Sequence, residues 1–243
     1  MSVTQKVFGA VTTEEDDYWL TVSDLMAGLM VIFLFIAISY IMDTLEQQSA
    51  IEKITKAWQE SQIEIYEALN EEFKEDFKKW DAEIERDTLI VRFNNPEVLF
   101  DQGRAGLTPK FKNILTDFCP RYLDVLVTFR KSIDEVRIEG HTSSEWNFVR
   151  SNSDEAYFGN MELSQDRTRS VLRYCLQLDF DSQGWLKDWA RTTITANGLS
   201  SSRLILTRGE ENKAKSRRVE FRVQTKTKEE IIKIIGTLGQ GDG

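Results

Sequence analysis

A chain of 243 residues holds one ordinary domain plus appendages. Its net charge of −9 argues against a nucleic-acid binder that works by counterion release. Its two cysteines, Cys119 and Cys175, form no C-x-x-C pair, so there is no cysteine-based metal signature.

Residues 1–17 are a short acidic tail. Tyr18 to Met42 is a stretch of 25 residues with Asp24 as its only charge. As a helix it spans roughly 37 Å, more than the ~30 Å hydrocarbon core of a bilayer. A buried helix of a soluble protein is the bland alternative, and length and lack of polar interruption stand against it. A cleaved signal peptide would begin basic, whereas Glu14, Glu15, Asp16 and Asp17 precede this segment. A single N-terminal transmembrane helix is therefore expected over 18–42. Acidic residues prevail on both flanks, so the positive-inside rule gives no orientation.

Asp24 is the anomaly. A charged carboxylate at the centre of a membrane helix costs ~2.5–3.5 kcal/mol even on lenient insertion scales. Asp24 lies roughly 9 Å along the helix from Tyr18, inside the membrane but off centre. A carboxyl that can hold and release a proton or small cation there is what an ion path needs. The alternative is an interfacial cap, which the uncharged Trp19, Leu20 and Val22 before it disfavour. One helix cannot shield Asp24 from lipid, so partner helices are implied.

Beyond Asp43 the chain is highly charged but keeps an apolar stripe: Ile51, Ile54, Trp58, Ile65, Leu69, Phe73, Phe77, Trp80 and Ile84. The spacing is mostly three and four, and no Pro or Gly occurs between Glu46 and Asn95. A long helical linker is expected over 43–86. Its stripe needs cover, either a second copy in a parallel coiled coil or the surface of the next domain.

From about Asp87 the period changes. In "TLIVRF", Leu89, Val91 and Phe93 share one face of a strand. Thr108-Pro109 starts a helix, with threonine as N-cap and proline in the first turn. Its buried face is Phe111, Ile114, Leu115, Phe118, Tyr122, Leu126 and Phe129, and Pro120 inside it predicts a kink or break. "DEVRIEG" is a strand turning Val136 and Ile138 inward, and "ELSQDRTRSVLRYCLQL" is a second amphipathic helix. "RTTITANG" and "RRVEFRVQT" are two further strands. Both cysteines fall on these helices, so two buried thiols are expected, with a disulfide as the alternative in an oxidising compartment. An α/β domain, an α+β sandwich of one sheet with helices on one face, is expected over 87–226. Residues 227–243 read as a short helix and a glycine-rich tip.

The segment "DYWLTVSDLMAGLMVIFLFIAIS" resembles the membrane helix of the MotB family, the B subunits of bacterial flagellar stators. The match rests on Trp19, Ser23, Asp24, Leu25, Met26, Leu29, Met30, Phe33 and Leu34. The resemblance implies that Asp24 is the ion carrier, with Ser23 and Thr21 beside the path. It also implies a cytoplasmic N-terminus, a periplasmic domain, and a dimer of this chain inside a ring, generally of five, of multi-span A-type partners.

Further along, "VLFDQGRAGLTP", "IEGHT", "NMELSQDRTRSV" and "RRVEFRV" occur in the order of an OmpA-like peptidoglycan-binding domain, over residues 88–225. The resemblance implies a site for the diaminopimelate of a cell-wall stem peptide. Asn160, Leu163, Ser164 and Arg167 match its helix motif, Thr142 and Ser143 its strand end, and Arg218 its late arginine. Arg167 would fork onto the ligand carboxylate, and helix-start amides would add a positive end. Arg218 either joins the site or braces the sheet. Ser143 replaces the aspartate that in the family faces the ligand's ammonium, with Glu145 or Asp154 as substitutes. "SEWNFVRSNSDEAYF" reads as an inserted loop whose Trp146, Phe148, Tyr157 and Phe158 line or cover the site, or merely elaborate the surface.

The acidic tail, compact length and "GHTSSEW" loop resemble the ZorB family, the B subunits of Zorya anti-phage defence systems, more than flagellar stators. A non-conducting envelope tether is the alternative of a different class. His141, the only histidine, has no evident ligand set around it and is expected to be structural. No nucleophile elbow, phosphate loop or zinc motif is present, so no enzyme, cofactor or metal is expected.

Overall fold

In a computed structural model of the chain, the apolar stretch and the charged stripe after it belong to one helix, α1 (Glu14–Trp80). The structure describes residues 14–94, 96–101, 103–146, 153–179 and 184–226. The first 13 residues and the expected C-terminal helix and tip lie outside them. By packing, the chain divides into two units, Met1–Lys53 and Ile54–Gly243. In the first, Thr21–Lys53 contains an 18-residue window of mean hydropathy 2.6 and is long and apolar enough to cross a membrane.

In the second unit, Ile65, Leu69, Phe73 and Phe77 of α1 are buried in the core. This settles which cover that part of the stripe takes: the following domain. Ile51 and Ile63, by contrast, remain exposed, and the side chains of Ile54 and Trp58 lie outside the described residues. Lys78 and Lys79 occupy the last turn, where cations meet the negative end of the helix dipole. Asp81 then takes a φ of 52°, the left-handed conformation that ends many helices. The helical linker expected through residue 86 is thus shorter. Ala82–Glu85 is a strand, β1, because its alternation lays Ile84 beside Val91.

The other elements are β2 (Ile90–Phe93), α2 (Pro96–Leu99), α3 (Pro109–Thr128), β3 (Ile133–His141), α4 (Asp154–Gln177), α5 (Trp185–Thr193), β4 (Ile194–Gly198), β5 (Leu206–Thr207), β6 (Glu210–Glu211), α6 (Lys213–Ser216) and β7 (Arg218–Thr225). The main sheet runs β1-β2-β7-β3-β4. All its pairings are antiparallel except β3 with β4. Thr108 caps α3 by accepting the Phe111 N–H at 3.1 Å, as its Thr-Pro start predicts. The helix continues through Pro120 without the break its proline suggested. Phe118 and Tyr122 on either side of Pro120 are both buried, and their packing offsets the lost N–H. Phe129 is only partly buried. α5 had no counterpart in the sequence reading; it is too short for a period to stand out.

One face of the sheet is apolar: Val91 and Phe93, Val219, Phe221 and Val223, and Val136 and Ile138 are buried. Phe118 is the meeting point. Its ring centroid lies 5.1 Å from Phe73 of α1, 5.3 Å from Phe93 of β2, and 5.0 Å from Phe221 of β7. Arg121, one turn on, donates to the Glu72 carboxylate at 2.6 Å and to Asp76 at 3.0 Å. Its guanidinium lies 4.7 Å from the Phe73 ring centroid. Cys119 and Cys175 form a disulfide joining α3 to α4, so the expected pair of buried thiols is corrected. Both were placed on the right helices; what the sequence lacked was the Cα separation of 5.6 Å.

The opposite face carries charge. Glu220 accepts from Arg92 and from Arg218, each at 2.7 Å, and Arg222 reaches Glu139 at 3.1 Å. His141 lies between the two carboxylates, its Nε2 3.3 Å from Glu220 Oε2 and 3.9 Å from Glu139 Oε2. Burial holds the imidazole below its usual range and Arg218 adds to this, against the pull of Glu220 and Glu139. Burial pushes Glu220 up, but His141 and Arg218 outweigh it and hold that carboxyl well below the ordinary range.

Two predictions test these contacts. Phe73→Ala should destabilise the domain by about 3–5 kcal/mol and replacing both cysteines by alanine by about 2–5 kcal/mol, read from urea unfolding of the full chain. A loss under 1 kcal/mol for Phe73→Ala would mean the α1 stripe is not part of the core. The second concerns pH. With the folded histidine pKa below the unfolded value of about 6.5, the unfolded chain binds the proton first. Stability should therefore fall as pH drops below that value. The Glu220 contribution persists until the pH falls below its unfolded value of about 4.3 and is lost toward its lower folded value. Unfolding midpoints at pH 7.5 and 5.5 should differ, and His141→Gln should flatten the difference; an equal slope in both proteins rules out the histidine.

Candidate functional site

Two sets of residues carry chemistry, and they lie in different units. In the first unit, Asp24 is exposed on α1, as are Thr21 and Ser23. Thr21, Asp24 and Gly28 fall on one side of the helix, three and four residues apart. A Cβ added at Gly28 would meet nothing within 4 Å. Small residues around a carboxyl let another helix approach closely. Leu25, Met30, Phe33 and Phe35 are all more than half exposed, so the described residues supply no cover for this segment.

The second set gathers where β3 ends against α4. Gly140 and Gly198 allow the contact: a Cβ at Gly140 would come within 2.8 Å of the Ser164 carbonyl oxygen, and one at Gly198 within 2.3 Å of the Gln165 nitrogen. Gln165 also donates to the Ala196 carbonyl at 3.0 Å and accepts the Gly198 N–H at 2.7 Å. Ser164 accepts the Ser200 N–H at 3.0 Å. Thr142, Ser143 and Asn160 are buried here. Asn160 donates its amide to the Ser143 carbonyl at 3.2 Å and the Glu145 carbonyl at 3.0 Å. Its role is to hold the turn after the strand.

Arg167 reaches out from α4 to the segment after α2. It donates to the Arg104 carbonyl at 2.9 Å and the Asp101 carbonyl at 3.4 Å, and lies over the Phe100 ring at 4.8 Å. A guanidinium has five N–H groups, so this arrangement orients it and leaves donors for a ligand. Burial pulls its pKa down to about 10, and Arg217 adds to that. Leu163 is partly buried on the same helix.

Several expectations are corrected. α4 begins at Asp154, capped by Ser153, which accepts the Ala156 N–H at 3.2 Å. Asn160 and Arg167 therefore sit well inside the helix, and helix-start amides do not line this site. Tyr157 and Phe158 are helical, not part of a loop, and Phe158 is 66% exposed. Trp146 packs over Gly159, where an added Cβ would lie 2.3 Å from its ring. Phe148 lies outside the described residues. Arg218 braces the sheet: besides Glu220 it donates to the carbonyls of Arg203 and Ser216. Arg217 matches the same late family motif as Arg218, but the sequence assigned it no role. It stands 3.9 Å from Glu145 and acts on Arg167; the adjacent arginines were the only signal.

Glu139, His141 and Glu220 offer ligand atoms within 4.8 Å of one another, partners for the histidine that the sequence did not reveal. Their carboxylates already face Arg92, Arg203, Arg218 and Arg222. Two negative groups against four guanidiniums leave a divalent cation a net repulsive setting, so the cluster reads as a structural charge ladder.

Residues 99–223, about half of the chain, match the OmpA family. The Zorya protein ZorB of Escherichia coli (strain ATCC 8739) is 46% identical over 223 residues, covering 91% of this chain and 94% of that protein. A crystal structure of a MotB-like protein from Desulfovibrio vulgaris superposes with a TM-score of 0.50 at 24% identity, over 70% of this chain and 98% of that one. The chain belongs to the ZorB family, with a transmembrane-type N-terminal helix and an OmpA-family domain.

Proposed function

We propose that this chain is the B-type subunit of an ion-driven inner-membrane motor that is anchored to peptidoglycan and acts in anti-phage defence. Asp24 carries the proton or cation, with Thr21 and Ser23 beside the path. The observation that carries this reading is a lone carboxyl within an otherwise uncharged segment of membrane length, in a chain 46% identical to ZorB. The exposed apolar surface around Asp24 calls for a multi-span A-type partner, read as a ring of five around a dimer of this chain. Exposed Ile51 and Ile63 are consistent with a second copy alongside α1.

The disulfide supports a periplasmic domain, because such bonds persist in oxidising compartments, and hence a cytoplasmic N-terminus. The cleft of Asn160, Leu163 and Arg167 beside Thr142 and Ser143 suits a carboxylate-bearing stem peptide, with Arg167 as the forked donor and Phe158 exposed at its side. An anchor of this kind gives a motor the fixed point that torque requires.

Phage protection in cells carrying the whole neighbouring gene cluster tests the motor. Asp24→Asn at matched protein level should abolish it. Equal protection by both forms would remove the ion-carrying role and favour a non-conducting tether; motility that depends on Asp24, without protection, would favour a flagellar-type stator. For the anchor, Arg167→Ala should weaken binding of the full chain to isolated cell-wall sacculi by about tenfold or more, the scale of one lost charge-assisted hydrogen bond. Unchanged co-sedimentation would reject the cleft.

A further inference from the structure

Among the described residues, Arg167 forms no ion pair, and the acid beside Arg217 is already shared with a lysine. Glu145, one candidate for the missing aspartate, is paired with Lys213 at 2.6 Å and lies 3.9 Å from Arg217. Asp154, the other, is exposed in the first turn of α4. Glu211 is held by Ser144, accepting its N–H at 2.9 Å and its hydroxyl at 2.5 Å. Asp166 pairs with Arg169 at 2.7 Å. Ser143, directly after the Gly140-His141-Thr142 strand end, is buried and neutral. Among the described residues, only burial and Arg217 shift Arg167, and no carboxylate opposes them.

We infer that the cleft selects a carboxylate whose neighbouring amine is uncharged, as in a diamino acid acylated on its side-chain amine in a cross-linked stem peptide. The inference rests on the cleft reading above. A free ammonium beside the bound carboxylate would face Arg167 and Arg217, with Glu145 already shared by Lys213 and Arg217, and like charges in a partly desolvated site repel strongly. Acylation removes that charge and leaves the carboxylate for Arg167. Such an anchor holds the load-bearing, cross-linked wall in preference to its free stems.

The test is calorimetric titration of the full chain in detergent with two probes. One is a stem tripeptide ending in diaminopimelate with a free side-chain amine; the other is the same peptide acetylated at that amine. The acetylated probe should bind at least about threefold more tightly than the free one, and Ser143→Asp should move the preference toward the free amine by about tenfold, the scale of one charge-assisted contact. Binding of the free amine by the unaltered chain as tightly as the acetylated one or more tightly, lost in Arg167→Ala, overturns this inference and leaves the cleft standing. Binding of neither probe, or binding indifferent to Arg167→Ala, overturns the cleft reading and this inference together. If Ser143→Asp does not fold, the comparison of probes on the unaltered chain decides alone.

Discussion

The second unit depends on the burial of one helical stripe against Phe118. Ile65, Leu69, Phe73 and Phe77 recur every four residues, so they lie along one side of α1. Phe118 receives Phe73 of that stripe from one direction and Phe93 and Phe221 from another. The last turns of α1 are therefore a core element of the domain and not merely a tether leading to it. Arg121 adds direction to that contact, since its planar fork meets Glu72, Asp76 and Asp117 together.

The rest of the domain separates its chemistry by the two faces of the sheet. The apolar face takes the helices and the disulfide. The charged face satisfies its own carboxylates with arginines and places His141 among them. Arg218 belongs to that ladder, while its neighbour Arg217 belongs to the cleft. A change of one position in the chain moves a guanidinium from the sheet's charge network to the side of Glu145 and Arg167, because Arg217 precedes β7 and Arg218 opens it.

The cleft is assembled from pieces that two glycines bring together. With no Cβ at Gly140 or Gly198, α4 lies directly on the ends of β3 and β4, and Ser164 and Gln165 fasten it there. Asn160 then fixes the turn that carries Ser143, and Arg167 is held by backbone carbonyls in place of a carboxylate. An arginine so held keeps its charge available for something from outside.

Much of this was legible in the chain itself. A long uncharged run needs no tertiary information to be read as a membrane helix, because its length must match the bilayer. The alternation of Val91 and Phe93 and the Thr-Pro start of α3 are local signals that the structure bears out; Leu89 is buried too, but in the turn before β2 with a φ of 51°. Order and spacing of the OmpA-like pieces also pointed to Asn160 and Arg167. What the sequence could not show were relations between distant residues. The pairing of Cys119 with Cys175, the enclosure of His141 by Glu139 and Glu220, the placement of Arg217 beside Arg167, and the α1 stripe turning into the domain all join residues far apart in the chain. Local pattern determines which face of an element is apolar or charged; only packing decides what that face meets.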